Sequence, residues 1–214
     1  MRSNVGGNWD QITDCVLPVE LYKNSATNVA RLLIGKLLVR RYQDQIMGGL
    51  ITETEAYQGE EDQGCHAKAG LTPRTKVMYG PAGHAYVYFT YGMHWMLNIV
   101  TNPVGFPAAV LIRGIKPVIG LDLINSLRPS PHLHGSQPNE KGWTDGPAKL
   151  CQALSINGSL NGLDLCNTNS DLWLAESGLI VPGREITNSP RIGLNNVPEP
   201  WKSIPWRYQW KTKN

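Results

Sequence analysis

The sequence predicts one compact mixed α/β (α+β) domain: a curved, mainly antiparallel sheet with flanking helices and a protruding β-hairpin. Three observations carry this expectation. Most of the ordered-looking segments are short runs with period-two patterning and bulky apolar or aromatic residues, which is strand-like. The link Tyr91-Gly92-Met93-His94 is too tight for a parallel crossover and implies a hairpin. Only a few segments carry helix signals, and 214 residues suit a single domain able to bury a core of its own.

Taken in order, residues 1–16 read as a loose lead-in, and the domain spans 17–214. Ser25 suits a helix cap, Val29, Leu32 and Leu33 share a helical face, and Gly35 suits the exit. Lys36–Tyr42 and Gly49–Tyr57 read as strands. In the second, period two places Ile51, Glu53, Glu55 and Tyr57 on one face and Thr52, Thr54 and Ala56 on the other. Carboxylates sharing a face with Ile break the usual pattern of a core strand. Residues 58–83 form a polar, Gly- and Pro-containing connection longer than an ordinary loop, and such loops tend to carry function. Strands follow at His84–Tyr91, Trp95–Thr101 and Ala108–Ile115, then a helix at Ile119–Leu127. Pro129–Trp143, with His132 and His134, reads as a surface loop. Asp145 is expected to cap a helix over Ala148–Leu154, with Pro147 in its first turn. Short strands and a Trp- and Pro-rich tail complete the chain.

Composition removes several classes. No apolar run approaches the 18 or so residues of a spanning helix, so no membrane association is expected. The start, MRSNVGGNWDQ, lacks the apolar stretch of a signal peptide, which favours a cytoplasmic setting, nucleoid-associated if the host is bacterial. Cys15, Cys65, Cys151 and Cys166 are scattered without a CxxC pair, so neither a zinc ribbon nor a disulfide framework is supported. A reactive cysteine and a small core residue are the open readings of each.

The densest polar cluster is Glu53-Thr54-Glu55-Ala56-Tyr57 with His66 in the following loop. A carboxylate beside aromatic rings and a histidine can orient and deprotonate water. Two alternatives stand beside that reading. Glu53 and Glu55 could simply pair with Arg40, Arg41 or Arg113 across the sheet, or Glu53, Glu55, Asp62 and His66 could hold Mg or Mn, although no ligand spacing is diagnostic. The second cluster is aromatic: Tyr86 and Tyr88 share a strand face, while Tyr91 faces the other way at the hairpin tip. An exposed aromatic tip suits insertion between stacked bases; the alternative is a hairpin folded back on the core.

ITETEAY, then HAKAGLTPRTKVMYGPAGHAYVYFTYGMHWMLNIV, AAVLIRGIKP and DGPAKLCQALSI, in that order, together resemble the alkyladenine (3-methyladenine) DNA glycosylase family from about Leu17 onward. The resemblance implies a monofunctional enzyme, without cofactor or metal, that flips a damaged purine from double-stranded DNA at its minor-groove side and hydrolyses the N-glycosidic bond, as a monomer. Residue by residue, it implies that Glu55 activates water and that Tyr57, His66 and Tyr88 enclose the flipped base. Arg113 would lie near the catalytic water, Asn98 would discriminate against the guanine 2-amino group, and Tyr91 would enter the minor groove. Gly146 and Lys149, at a helix start, would contact a phosphate. Hypoxanthine joins the substrate range on the resemblance alone. A non-catalytic nucleic-acid-binding module of the same fold and a nucleoside hydrolase acting on free small molecules are the competing readings.

Net charge is only +3. Its distribution says more than its sum. Gln63–Leu121 holds five basic residues and no acid, and Trp201–Asn214 holds four and no acid. Those stretches carry +9, so the rest of the chain carries −6. Basic segments around the hairpin and tail suit a phosphate backbone if they share one face.

Overall fold

The computed structural model describes residues 13–128 and 142–211. The expectations for residues 1–12, for most of the 129–142 loop with His132 and His134, and for the last three residues lie outside that range. Helix α1 is Val19–Tyr22 and α2 is Ala26–Leu32. Strands β1 (Leu37–Tyr42) and β2 (Gln45–Gln58) follow, then β3 (Ala85–Thr90), β4 (His94–Val100) and β5 (Ala108–Ile119). Helices α3 (Leu121–Leu127) and α4 (Pro147–Ala153) precede the short strands β6 (Leu172–Ala175), β7 (Ile186–Ser189) and β8 (Arg207–Trp210). The strands form one antiparallel, curled sheet in the order β3-β4-β5-β2-β1-β6, with β8 paired to both β2 and β7.

Local chemistry accounts for most boundaries. The Ser25 hydroxyl accepts from the Asn28 N–H and caps α2. Gln43 and Asp44 both take left-handed φ, 49° and 63°, and make the tight β1–β2 turn. At the other end of the chain, the expected Asp145 cap is not formed. Gly146 occupies that position without a side-chain cap, and Asp145 instead accepts from the Gly142 N–H and from Lys149. Pro147 is the first helical residue, where its missing N–H goes unneeded. The segment at Ile119 belongs to β5, so α3 begins only at Leu121.

The main core lies between the sheet and α2 and α4. It includes Val29, Ala30, Ile51, Ala56, Leu97, Ile99, Val110, Ile112, Ile115 and Leu150. Thr54 fixes β2 to α2 by donating to the Ala30 carbonyl at 2.8 Å. On the opposite face a smaller cluster gathers Cys65, Met78, Tyr86 and Ala109, with Tyr57 and Tyr88 against it.

The irregular pattern in β2 has a structural cause, and it corrects the simple alternation. Ile51 pairs with Ile115 and Glu53 with Gly114, leaving Thr52 as an extra residue; Thr54 then pairs with Ile112, leaving Arg113 extra on β5. These adjacent bulges switch the pleat of both strands. Ile51 therefore faces the helix-side core together with Thr54 and Ala56, while Glu53, Glu55 and Tyr57 turn to the other face. The other edge of β2 changes partner at the same place, from β1 through Leu50 to β8 from Glu53. Arg113 and Arg207 thereby converge on Glu53.

Candidate active site

Behind the bulge, on the face away from the helices, lies a cavity of about 350 Å³. Its walls include Tyr57, His66, Tyr86, Tyr88, Asn98 and Arg113, with Ile192 and Leu194 from the C-terminal segment. That volume sits at the lower end of small-molecule pockets and suits one planar ring system.

Glu55 is fully buried and stands directly behind this wall, held by donors that themselves form the wall. Its Oε1 accepts from the Ile192 N–H at 2.7 Å. Its Oε2 accepts from the Tyr57 hydroxyl at 2.8 Å and from Arg113 Nη1 at 3.3 Å. Burial pushes the Glu55 carboxyl above the usual glutamate range; Arg113, the Ile192 N–H and Tyr57 pull against that rise, and Glu53 adds to it. Arg113 also donates to Glu53 at 2.7 Å, as does Arg207. Burial works to lower the Arg113 guanidinium, but Glu55 and Glu53 carry it above its ordinary value. The sheet-pairing alternative is thus true in part, since Arg113 bridges both carboxylates. Arg40 and Arg41 serve elsewhere, donating to backbone carbonyls at Asp171, Ser170 and Thr168.

The aromatic walls support one another. His66 meets Tyr88 edge-on at 4.6 Å between centroids, and Tyr86 lies 5.3 Å from Tyr88. The Tyr86 hydroxyl is 3.0 Å from His66 Nδ1. Asn98 is buried and its amide donates to the Tyr86 carbonyl at 3.1 Å, which fixes its plane against the cavity. Burial raises the Cys65 thiol to about 12 beneath this wall, so it is a core group rather than a nucleophile. Among the described residues, no three His, Cys, Asp or Glu side chains are grouped to hold a metal ion.

At the hairpin, Tyr91 and Gly92 take φ of 52° and 68°, and the Met93 N–H closes the turn on the Thr90 carbonyl. The left-handed conformation interrupts strand alternation. Tyr91 therefore joins Tyr88 at the cavity mouth instead of facing the opposite way. It is 82% exposed, so the hairpin is not folded back on the core. Met93 beside it is also exposed.

Gly146 and Lys149 lie at the start of α4, whose Pro147 reaches the cavity wall. The Lys149 ammonium is already engaged with Asp145 at 2.7 Å. Of the basic segments, Arg113 and Arg207 are consumed in internal ion pairs. Lys68, Arg74, Lys76, Lys116, Lys202 and Lys211 remain exposed.

One site residue, Arg191, escapes sequence reasoning, and its partner Asp62 enters there only as a candidate metal ligand. Asp62 and Arg191 form a fully buried bidentate pair at 2.6 and 2.8 Å. The Arg191 guanidinium stacks over Tyr57 at 4.7 Å and over Trp206 at 5.2 Å, and donates to the Ala56 carbonyl. Its neighbour Ile192 supplies the N–H to Glu55. Gly64 permits the closure, because a Cβ there would stand 2.6 Å from Leu194 Cδ1 and 2.9 Å from Arg191 Nη2. Both charged residues sit in irregular segments, where no periodicity marks them.

The antiparallel curled sheet thus buries a carboxylate behind an aromatic cavity, with an exposed tyrosine on a hairpin at its mouth. The sequence pattern of methylpurine-DNA glycosylase matches residues 20–214. The chain is 42% identical over 193 residues to a protein of Methanocella arvoryzae named "Putative 3-methyladenine DNA glycosylase", covering 90% of this chain and 91% of that one. Proteins of the same name from Carboxydothermus hydrogenoformans and Myxococcus xanthus are 42% and 43% identical, covering 92% and 89% of this chain and 95% and 88% of their own lengths. The chain belongs to the methylpurine-DNA glycosylase family, DNA glycosylases for alkylated purines. Among the described residues, no helix is long and apolar enough to cross a membrane.

Proposed function

We propose that the protein is a monofunctional DNA glycosylase of base excision repair that works as a monomer on damaged double-stranded DNA from the minor-groove side. It flips alkylated purines of the 3-methyladenine type, and deaminated ones such as hypoxanthine, and hydrolyses the N-glycosidic bond to leave an abasic site. The observation that carries this reading is the buried Glu55, ringed by Tyr57, Arg113 and the Ile192 N–H at the back of an aromatic cavity.

In this reading the flipped base lies between Tyr57, His66 and Tyr88, and Asn98 meets the edge where guanine carries its 2-amino group. The C1′–N bond breaks, its electron pair going to the purine, and oxocarbenium character builds on the sugar. Oε1 of Glu55 accepts from the Ile192 N–H and retains a lone pair for a water proton. The water oxygen bonds to C1′ while its proton passes to Glu55. Arg113 holds the carboxylate ionised and in place. An N3- or N7-alkylated purine is cationic, leaves without protonation, and gains roughly 0.5–2 kcal/mol against tyrosine faces. Hypoxanthine is neutral and needs a proton at the leaving base. Gly146 and Lys149 contact a backbone phosphate, Lys149 exchanging its Asp145 partner for it.

The test is product analysis on duplexes each holding one lesion. Free 3-methyladenine or 7-methylguanine and an unbroken abasic strand are the expected products, with turnover falling steeply as salt rises. Release from a free nucleoside but not from duplex would replace this reading by the nucleoside hydrolase; tight duplex binding without release would replace it by the binding module. For the hairpin, Tyr91→Ser is expected to lower excision from duplex about tenfold while sparing single-stranded substrate, because filling the vacated stack offsets a few kcal/mol of unstacking. Equal loss on both substrates would remove the insertion role.

A further inference from the structure

Arg74, in the long connection after β2, is exposed and takes no part in the chemistry described so far. Its Nη2 lies 3.4 Å from His66 Nε2, and its guanidinium sits 4.9 Å from the Tyr88 ring centroid. It lines an outer recess with Pro73, Tyr86, Val87 and Tyr88 rather than the base cavity itself. Arginine has only donors, so His66 Nε2 must accept. The single ring proton then sits on Nδ1 and is given to the Tyr86 hydroxyl oxygen 3.0 Å away. Both imidazole nitrogens are thus engaged, and the cavity meets an uncharged ring edge.

We propose that Arg74 is a positioning residue that keeps His66 an uncharged wall of the cavity and thereby favours cationic over neutral purine bases. The inference rests on the reading of this cavity as a base pocket and names its preferred substrate class. The groups facing His66 are the Tyr86 hydroxyl and the Tyr88 ring on β3, Arg74, and Lys68 on its own turn. Burial, then Arg74 and Lys68, brings the imidazole down to about 4. Both tyrosines are pushed upward, chiefly by burial, and stay neutral near pH 7. An imidazolium at this wall would repel a cationic purine stacked beside it, and would act as a proton donor to a neutral one. Holding the proton off His66 therefore separates the two substrate classes.

The experiment has two arms. First, the His66 imidazole is titrated by NMR, assigned with His66→Gln. The midpoint is expected near 4 in the parent, at least one pH unit higher in Arg74→Met, and close to the parent in Arg74→Lys, which keeps the charge. Arg74 is exposed, so neither variant threatens the fold. Second, release of 7-methylguanine and hypoxanthine from duplex is compared near pH 5 and pH 7.5. In Arg74→Met the ratio of cationic to neutral release is expected to fall about tenfold at the lower pH and to match the parent at the higher. A midpoint that does not move in Arg74→Met, or a raised midpoint with an unchanged ratio, overturns the role of Arg74. Release of neither base by the parent protein overturns instead the glycosylase reading on which the selection depends.

Discussion

Glu55→Gln is expected to lower release of alkylated purine by about a thousandfold while leaving affinity for damaged duplex within a few-fold of the parent. The size follows from what the amide cannot do. It cannot take a proton from water, and it places two N–H donors where the Ile192 N–H, the Tyr57 hydroxyl and Arg113 already donate. One of those donors must lose its acceptor, a cost of about 1–3 kcal/mol in stability. Removing a buried charge works the other way. Because the folded carboxyl lies above its unfolded value, ionised Glu55 opposes folding above the ordinary glutamate range, and that penalty fades as pH falls through the raised value. The parent's acid limb should accordingly lie at higher pH than an ordinary glutamate would give. Single-turnover release and duplex binding, measured side by side, decide the matter. Parent-like release by Glu55→Gln would remove Glu55 as the base.

The sequence displays the ingredients of this site more clearly than their arrangement. Glu55, Tyr57 and Tyr88 lie in strands whose patterning is legible and His66 in the polar loop between them, and the fold does bring Tyr57, His66 and Tyr88 around one cavity with Glu55 bonded behind it. The odd company of Ile51 with Glu53 and Glu55 is visible as well. Its resolution is not, because a bulge pair depends on register between β2 and β5, two strands far apart in the chain. Tyr91 shows the same limit at shorter range. Its exposure at a tip follows from the turn, but its aim into the cavity mouth follows from a left-handed φ that few tyrosines adopt. Asp145 carries a good capping signal, yet Gly142 and Lys149 compete for its carboxylate and prevail. Charge segregation is legible only as a sum: Arg113 and Arg207 raise the count of basic residues while serving Glu53 internally.

Arg191 leaves the least trace in the sequence, its partner Asp62 reads there only as a possible metal ligand, and breaking their pair should produce the largest loss of stability. Arg191→Met is expected to destabilise the protein by about 3–5 kcal/mol, because it strands the buried Asp62 carboxylate with only the Gln58 and Gly64 N–H donors. For a chain of this length that corresponds to a fall in Tm of about 10 °C. The damage should also reach the chemistry. Arg191 backs Tyr57 on its outer face, and the next residue carries the N–H that Glu55 accepts, so kcat should fall even at temperatures where the variant is fully folded. Asp62→Leu combined with Arg191→Met removes both charges, and the double variant should recover part of the stability lost by Arg191→Met alone. Recovery of kcat should not accompany it, since the apolar pair restores packing but not the bidentate bonds that hold Ile192 against the carboxylate. Denaturant melts on Arg191→Met, on Asp62→Leu and on the double variant give the coupling, and rates on the folded species give the second comparison. A double variant whose loss equals the sum of the single losses would show that the two charges do not depend on each other, and full kcat in Arg191→Met would free Glu55 from the C-terminal segment.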